Sequence, residues 1–122
     1  MTDDIEELAA QYAAVFNEPG EAARNAAVAR LWSADARVCT AASEYVGLAA
    51  ITQRVTTAHE KFVAGQGCTF RPLGPAQSHH DGVRIRWEMT PADGSDAVSG
   101  GVQFLLLDPD RRIQTDYQFI DF

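Results

Sequence analysis

The chain is short of cysteine, of positive charge and of long apolar runs, and each shortage removes a class of protein. Cys39 and Cys68 are the two cysteines in 122 residues. Small secreted domains held by disulfides use cysteine more densely. The opening Met1-Thr2-Asp3-Asp4 is acidic and has no apolar signal core. Both thiols are therefore expected to be reduced, buried and strand-borne, in a cytoplasmic protein. Ten Lys and Arg face seventeen Asp and Glu, a formal net charge of −7. No basic cluster offsets that excess, which argues against nucleic acid or an anionic membrane as partner. It also weighs weakly against a highly anionic substrate. No apolar run is long enough to span a bilayer. The chain has no phosphate-cradling Gly-rich loop, no nucleophile elbow and no zinc-ligand spacing. Neither a metal nor a cofactor is expected. Ser99-Gly100-Gly101 lies in or beside a strand, where it allows curvature or a bulge.

What remains is the length of one domain, 1–122, with 46% hydrophobic residues, enough for a real core. Residues 3–16 predict a first helix, because Ile5, Leu8, Tyr12, Val15 and Phe16 share one stripe at helical spacing. Thr2 or Asp3 is the expected N-cap, and the acids at 3, 4, 6 and 7 suit the positive end of the helix dipole. Asn17-Glu18-Pro19-Gly20 stops this helix. Residues 21–32, rich in alanine and anchored by Val28, Leu31 and Trp32, predict a second helix that ends at Ser33-Ala34-Asp35. A short strand at 37–40, resumed at 44–46, precedes a third helix. Gly47 opens that helix, Leu48, Ile51, Val55 and Phe62 stripe it, and Gly65 stops it.

The rest reads as β-structure. A long strand at 68–80 is interrupted at Pro72 and Gly74-Pro75. Asp81-Gly82 is a hairpin signal. In the strand at 83–90, Val83, Ile85, Trp87 and Met89 fall on one face and Arg84, Arg86, Glu88 and Thr90 on the other. Strands at 97–107 and 112–121 follow. Turns this short make neighbours antiparallel. The order predicts an α+β fold: a curved, antiparallel-dominated sheet wrapped around three N-terminal helices, with room for a pocket. Within 102–107, Val102, Phe104 and Leu106 face one way and Gln103, Leu105 and Leu107 the other. A strand apolar on both faces is expected to be covered on both. The helices cover one face, and a second copy covering the other would make a homodimer. A monomer with an apolar central strand is the alternative.

Several stretches together resemble the SnoaL-like group of the nuclear transport factor 2-like superfamily. They are Tyr12 before the Asn17-Glu18-Pro19 turn, Leu31-Trp32-Ser33-Ala34-Asp35-Ala36, Gly47-Leu48-Ala49-Ala50-Ile51, and the closing Arg112-Ile113 and Phe119-Ile120-Asp121. The resemblance spans nearly the whole chain. It implies a cystatin-like cone with an internal cavity, and relatives that include ketosteroid isomerases and polyketide cyclases. The isomerase positions carry over in part. Tyr12 matches the oxyanion tyrosine, Thr40 stands where the base belongs and cannot serve, and Gln103 replaces the protonated acid. Cyclases of the SnoaL type place an acid/base aspartate among inward strand positions, and Asp116 is the candidate.

These matches imply that Tyr12, Gln103, Asp116 and Gln118 converge on one cavity. Asp116 and Tyr12 would be catalytic, and Gln103 and Gln118 would bind substrate. Asp116 turned to solvent or to a subunit interface is the competing placement. Trp87 and Trp32 are expected to wall the pocket for a planar or apolar ligand. His79 and His80 are adjacent on a strand, so their side chains should point to opposite faces and not share an ion. One is expected to be exposed and the other partly packed. His59 reads as a satisfied histidine at the edge of a helix stripe. The resulting expectation is a cofactor-independent isomerase, cyclase or dehydratase acting on a small apolar or aromatic carbonyl compound. The alternative is a non-catalytic ligand-binding or dimerisation domain on the same scaffold.

Overall fold

The first helix is held against the sheet by two acceptors that reach backbone groups of one strand. A computed structural model describes residues 3–122. Helix α1 runs Asp3–Asn17 and strand β3 runs Cys68–His79. Asn17 Nδ2 donates to the Phe70 carbonyl at 2.7 Å, and its Oδ1 accepts from the Phe70 N–H at 2.8 Å. Near the other end, Glu6 Oε2 accepts from the Ala76 N–H at 3.0 Å. That N–H is available because β3 loses its register between Leu73 and Gln77, around Pro75, which has no N–H to donate. The stripe predicted for α1 is realised, with Tyr12, Val15 and Phe16 in the core and Ile5 and Leu8 packed against it. The expected N-cap, Thr2 with Asp3 as its alternative, falls outside the described residues and side chains.

Helix α2 spans Glu21–Leu31, and strand β1, Trp32–Cys39, follows with no intervening loop. This corrects the sequence expectation of a helix through Trp32 and a strand starting at Arg37. The physical reason is a distant partner. Strand β6, Ile113–Ile120, pairs in parallel with β1 from Trp32 onward, and the local helical pattern carries no trace of that pairing. Strand β2, Glu44–Val46, then leads through Gly47 (φ 87°) into α3, Leu48–Ala58. Only glycine adopts that dihedral readily. The helix continues as a π-helical turn, His59–Ala64. Here His59 is buried, not at an edge, and its Nδ1 lies 2.7 Å from the Phe16 carbonyl, one of the orphan acceptors of the last turn of α1.

Strands β4 (Gly82–Pro91) and β5 (Ser99–Leu107) complete a six-stranded sheet in the order β2-β1-β6-β5-β4-β3. All neighbours are antiparallel except β1 and β6. The alternation read in β4 holds, with Val83, Ile85 and Met89 buried and Arg84 and Arg86 outside. In β5, Gln103, Leu105 and Leu107 face in, while Phe104 and Leu106 face out. The tight turn after β3 is centred on His80 and Asp81, one residue earlier than predicted, since His79 pairs with Gly82. His80 adopts a positive φ of 54°, so the two histidine rings fold toward each other, with Nδ1 atoms 3.1 Å apart. Both are exposed, which corrects the expectation of opposed rings with one partly packed. Cys39 and Cys68 are free thiols; Cys68 is buried, Cys39 only half-buried.

Candidate functional site

Between α1, α3 and the concave face of the sheet lies a cavity of about 460 Å³. Its wall is mostly aromatic and aliphatic. Phe16, Phe62, Phe70 and Trp87 run along it, with Phe16–Phe70 and Phe70–Trp87 ring centroids 5.3 and 5.6 Å apart. Such tilted pairs stiffen an apolar wall beyond what their burial alone contributes. Gly101 lies opposite Trp87 in the β4–β5 register. A Cβ there would collide with the Phe119 carbonyl and meet the indole at 3.1 Å, so close strand packing and the Trp87 ring require glycine at this point. This is the role of the Gly100-Gly101 pair. Both sit in regular pairing within β5, not in a bulge.

One end of the cavity is polar. Gln103 and Gln118 are opposite each other across β5 and β6, and Asp116 is two residues back on the same face. Tyr12 reaches this cluster from α1. Its hydroxyl donates to Asp116 Oδ2 at 2.6 Å, and Gln103 Nε2 donates to Asp116 Oδ1 at 2.5 Å. Trp87 Nε1 in turn donates to Gln103 Oε1 at 2.9 Å, which fixes the orientation of that amide. Asp116 has no exposed surface. Burial raises its pKa above the usual carboxylate range, and the bonds from Tyr12 and Gln103, with the charge of Arg54, offset part of the rise. Burial and the neighbouring carboxylate hold the Tyr12 phenol well above its ordinary value. Tyr12 is thus a hydroxyl donor at any physiological pH.

Tyr12, Gln103, Gln118 and Trp87 line the cavity. Asp116 and Trp32 do not. Asp116 stands behind Tyr12 and Gln103, with both carboxylate oxygens engaged. Trp32 is wholly buried beneath Tyr12, ring centroids 5.4 Å apart. Its indole Nε1 makes no hydrogen bond of ordinary geometry, yet lies near enough to Asp116 to lower that pKa. Thr40 caps the β1–β2 turn through the Ala42 and Ser43 N–H groups.

Arg54 was not singled out by sequence reasoning. It projects from α3 onto the same polar end. Its Nη2 donates to Gln118 Oε1 at 2.7 Å, and its guanidinium lies over the Phe16 and Tyr45 rings at 5.6 and 5.7 Å. The available signal was its position, three residues after Ile51 and four before Ala58. That places a guanidinium beside the buried stripe of the helix.

No family model and no curated protein matches the chain. Solved structures do. A candidate isomerase of the SnoaL-like family from Agrobacterium tumefaciens is 26% identical, with a TM-score of 0.85 over 99% of this chain and 97% of that one. A candidate polyketide cyclase from Sinorhizobium meliloti gives 15% identity and a TM-score of 0.70 over 98% and 99% of the two chains. A nuclear transport factor 2-like protein with a cystatin-like fold from Novosphingobium aromaticivorans gives 20% and 0.70 over 98% and 80%. The chain has the cystatin-like α+β cone, the class to which an open curved sheet closing over helices belongs. Within that class, it resembles the SnoaL-like group of the nuclear transport factor 2-like superfamily along its full length.

Proposed function

We propose that the protein binds a small apolar or aromatic carbonyl compound in the cone and moves protons on it without a cofactor, as an isomerase, cyclase or dehydratase would. The observation that carries this reading is the Tyr12–Asp116 hydrogen bond of 2.6 Å, which joins a cavity-lining hydroxyl to a wholly buried carboxylate. Asp116 acts through Tyr12. A C–H bond next to the ligand carbonyl breaks, its proton passes to the Tyr12 oxygen, and the phenolic proton passes to Asp116 Oδ2. The electron pair goes to the carbonyl oxygen, which a Gln103 N–H orients and stabilises. Reversal of the relay returns the proton to the same or another atom. The raised pKa of Asp116 suits a proton acceptor working near neutrality.

The test needs no knowledge of the natural substrate. Aryl ketones with exchangeable α-protons are incubated with the protein in D2O, and exchange is followed by proton NMR. Wild type is expected to accelerate exchange. Tyr12→Phe and Asp116→Asn should each reduce the acceleration by about 10²–10⁴-fold, the range for one general acid–base group. Binding of the same ketones with no acceleration would favour the second reading, a non-catalytic ligand-binding domain. The specific support for that reading is that, among the described residues, no carboxylate or histidine lines the cavity directly.

A further inference from the structure

The guanidinium of Arg54 is incompletely satisfied. Its Nη1 is buried and has no hydrogen-bond partner among the described residues. An arginine carries five N–H donors and cannot shed its proton. Leaving such donors unpaired in a largely apolar enclosure is costly, so the position calls for a partner. Asp116 acts on Arg54 through its charge and not through a hydrogen bond, its oxygens accepting from Tyr12 and Gln103. Gln118 supplies a neutral acceptor to Nη2 alone.

The surroundings say what the partner is. Arg54, Ala58, Phe62 and Gln118 line the aromatic cavity and also a second groove of about 520 Å³, bordered by α3 and by Tyr45 of β2. These four residues therefore form the partition between the two spaces. The outer groove adds Lys61 and Thr57 and, among the described residues, no carboxylate. In a chain of net charge −7, a groove lined by two cations, Arg54 and Lys61, and by no acid among the described residues is a local reversal of sign. It attracts an anionic group to the junction, where a buried donor lacks an acceptor.

We infer that the cavity and groove form one channel for a flat apolar monocarboxylate, whose ring system occupies the aromatic cavity and whose carboxylate is bound by Arg54 Nη1 at the partition, with Lys61 at the outer mouth. This deepens the proposed function by naming the charge its ligand carries. It rests on the cavity being the ligand site, and not on proton transfer.

A matched pair of probes tests it by isothermal titration calorimetry: 2-naphthoate and the neutral 2-naphthamide. Wild type is expected to bind the acid about tenfold more tightly or better than the amide, the scale of one charge-assisted contact. Arg54→Gln should weaken the acid to the level of the amide and leave the amide nearly unchanged, which also verifies that the variant is folded. Arg54→Lys should keep part of the preference. Equal binding of acid and amide by wild type overturns the anion site and leaves the cavity reading standing. A preference that persists in Arg54→Gln overturns it as well. Failure of both probes to bind wild type overturns both readings together. Should Arg54→Gln not fold, the wild-type comparison still decides.

Discussion

Asp116 is the residue whose surroundings most constrain the chemistry. The period-2 alternation of β6 carries enough information to group it with Gln118, and that of β5 turns Gln103 inward. The sequence holds no measure of depth, however, and depth is what separates Asp116 from the cavity surface. Its protonation also has a thermodynamic consequence. Burial opposes the charged form, so the folded chain keeps this proton to a higher pH than the unfolded chain, whose ordinary value is 3.8. The stability it contributes is complete below that value and is lost as pH rises through the raised one. Asp116→Asn, neutral throughout, should therefore melt at a temperature less sensitive to pH. Its melting temperature should gain on wild type as pH climbs above about 4. Thermal melts of both proteins across pH 4 to 8 check this; parallel curves would show that Asp116 ionises normally. Arg54 escaped notice for a different reason. A charged residue on a helix reads as solvated unless the groove beside it is known.

At the scale of elements, the two contacts that fasten α1 to β3 decide where Tyr12 sits. Asn17 makes two hydrogen bonds to the Phe70 backbone from the last residue of the helix. In sequence it looks only like a turn residue before Pro19. Asn17→Ala leaves a backbone donor and acceptor of β3 unmatched and should cost about 1–3 kcal/mol, measured by urea unfolding. It should also loosen the Tyr12–Asp116 contact, so α-proton exchange should fall more than binding of the ketone does. The boundary between α2 and β1 belongs to this scale as well. Helical periodicity continues through Trp32, but pairing to β6 claims that residue for the sheet. Long-range pairing overrides local propensity.

The whole molecule presents an apolar outer sheet face. Phe104, Leu106 and Phe119 are 40%, 36% and 58% exposed, and Val102 and Tyr117 lie between them in register, paired with Phe119 and Phe104. A second copy laid on this face remains the occupant we propose, since contiguous apolar surface of this kind marks interaction sites. Sedimentation velocity should find a dimer, and Phe104→Glu should shift it to monomer without lowering the melting temperature of the cone. A wild type that stays monomeric at high concentration would remove the proposal. No helix among the described residues is long and apolar enough to cross a membrane.

The order of helices and hairpins and the inward and outward faces of β4 and β5 were determined by the sequence. Spacing alone specifies a face, because side-chain direction follows backbone period. Only the tertiary structure decided that β1 begins at Trp32, that Asp116 lies behind Tyr12, and that Arg54 stands between two spaces. Each of these depends on segments brought together from distant parts of the chain, and no local period encodes which distant group will be near.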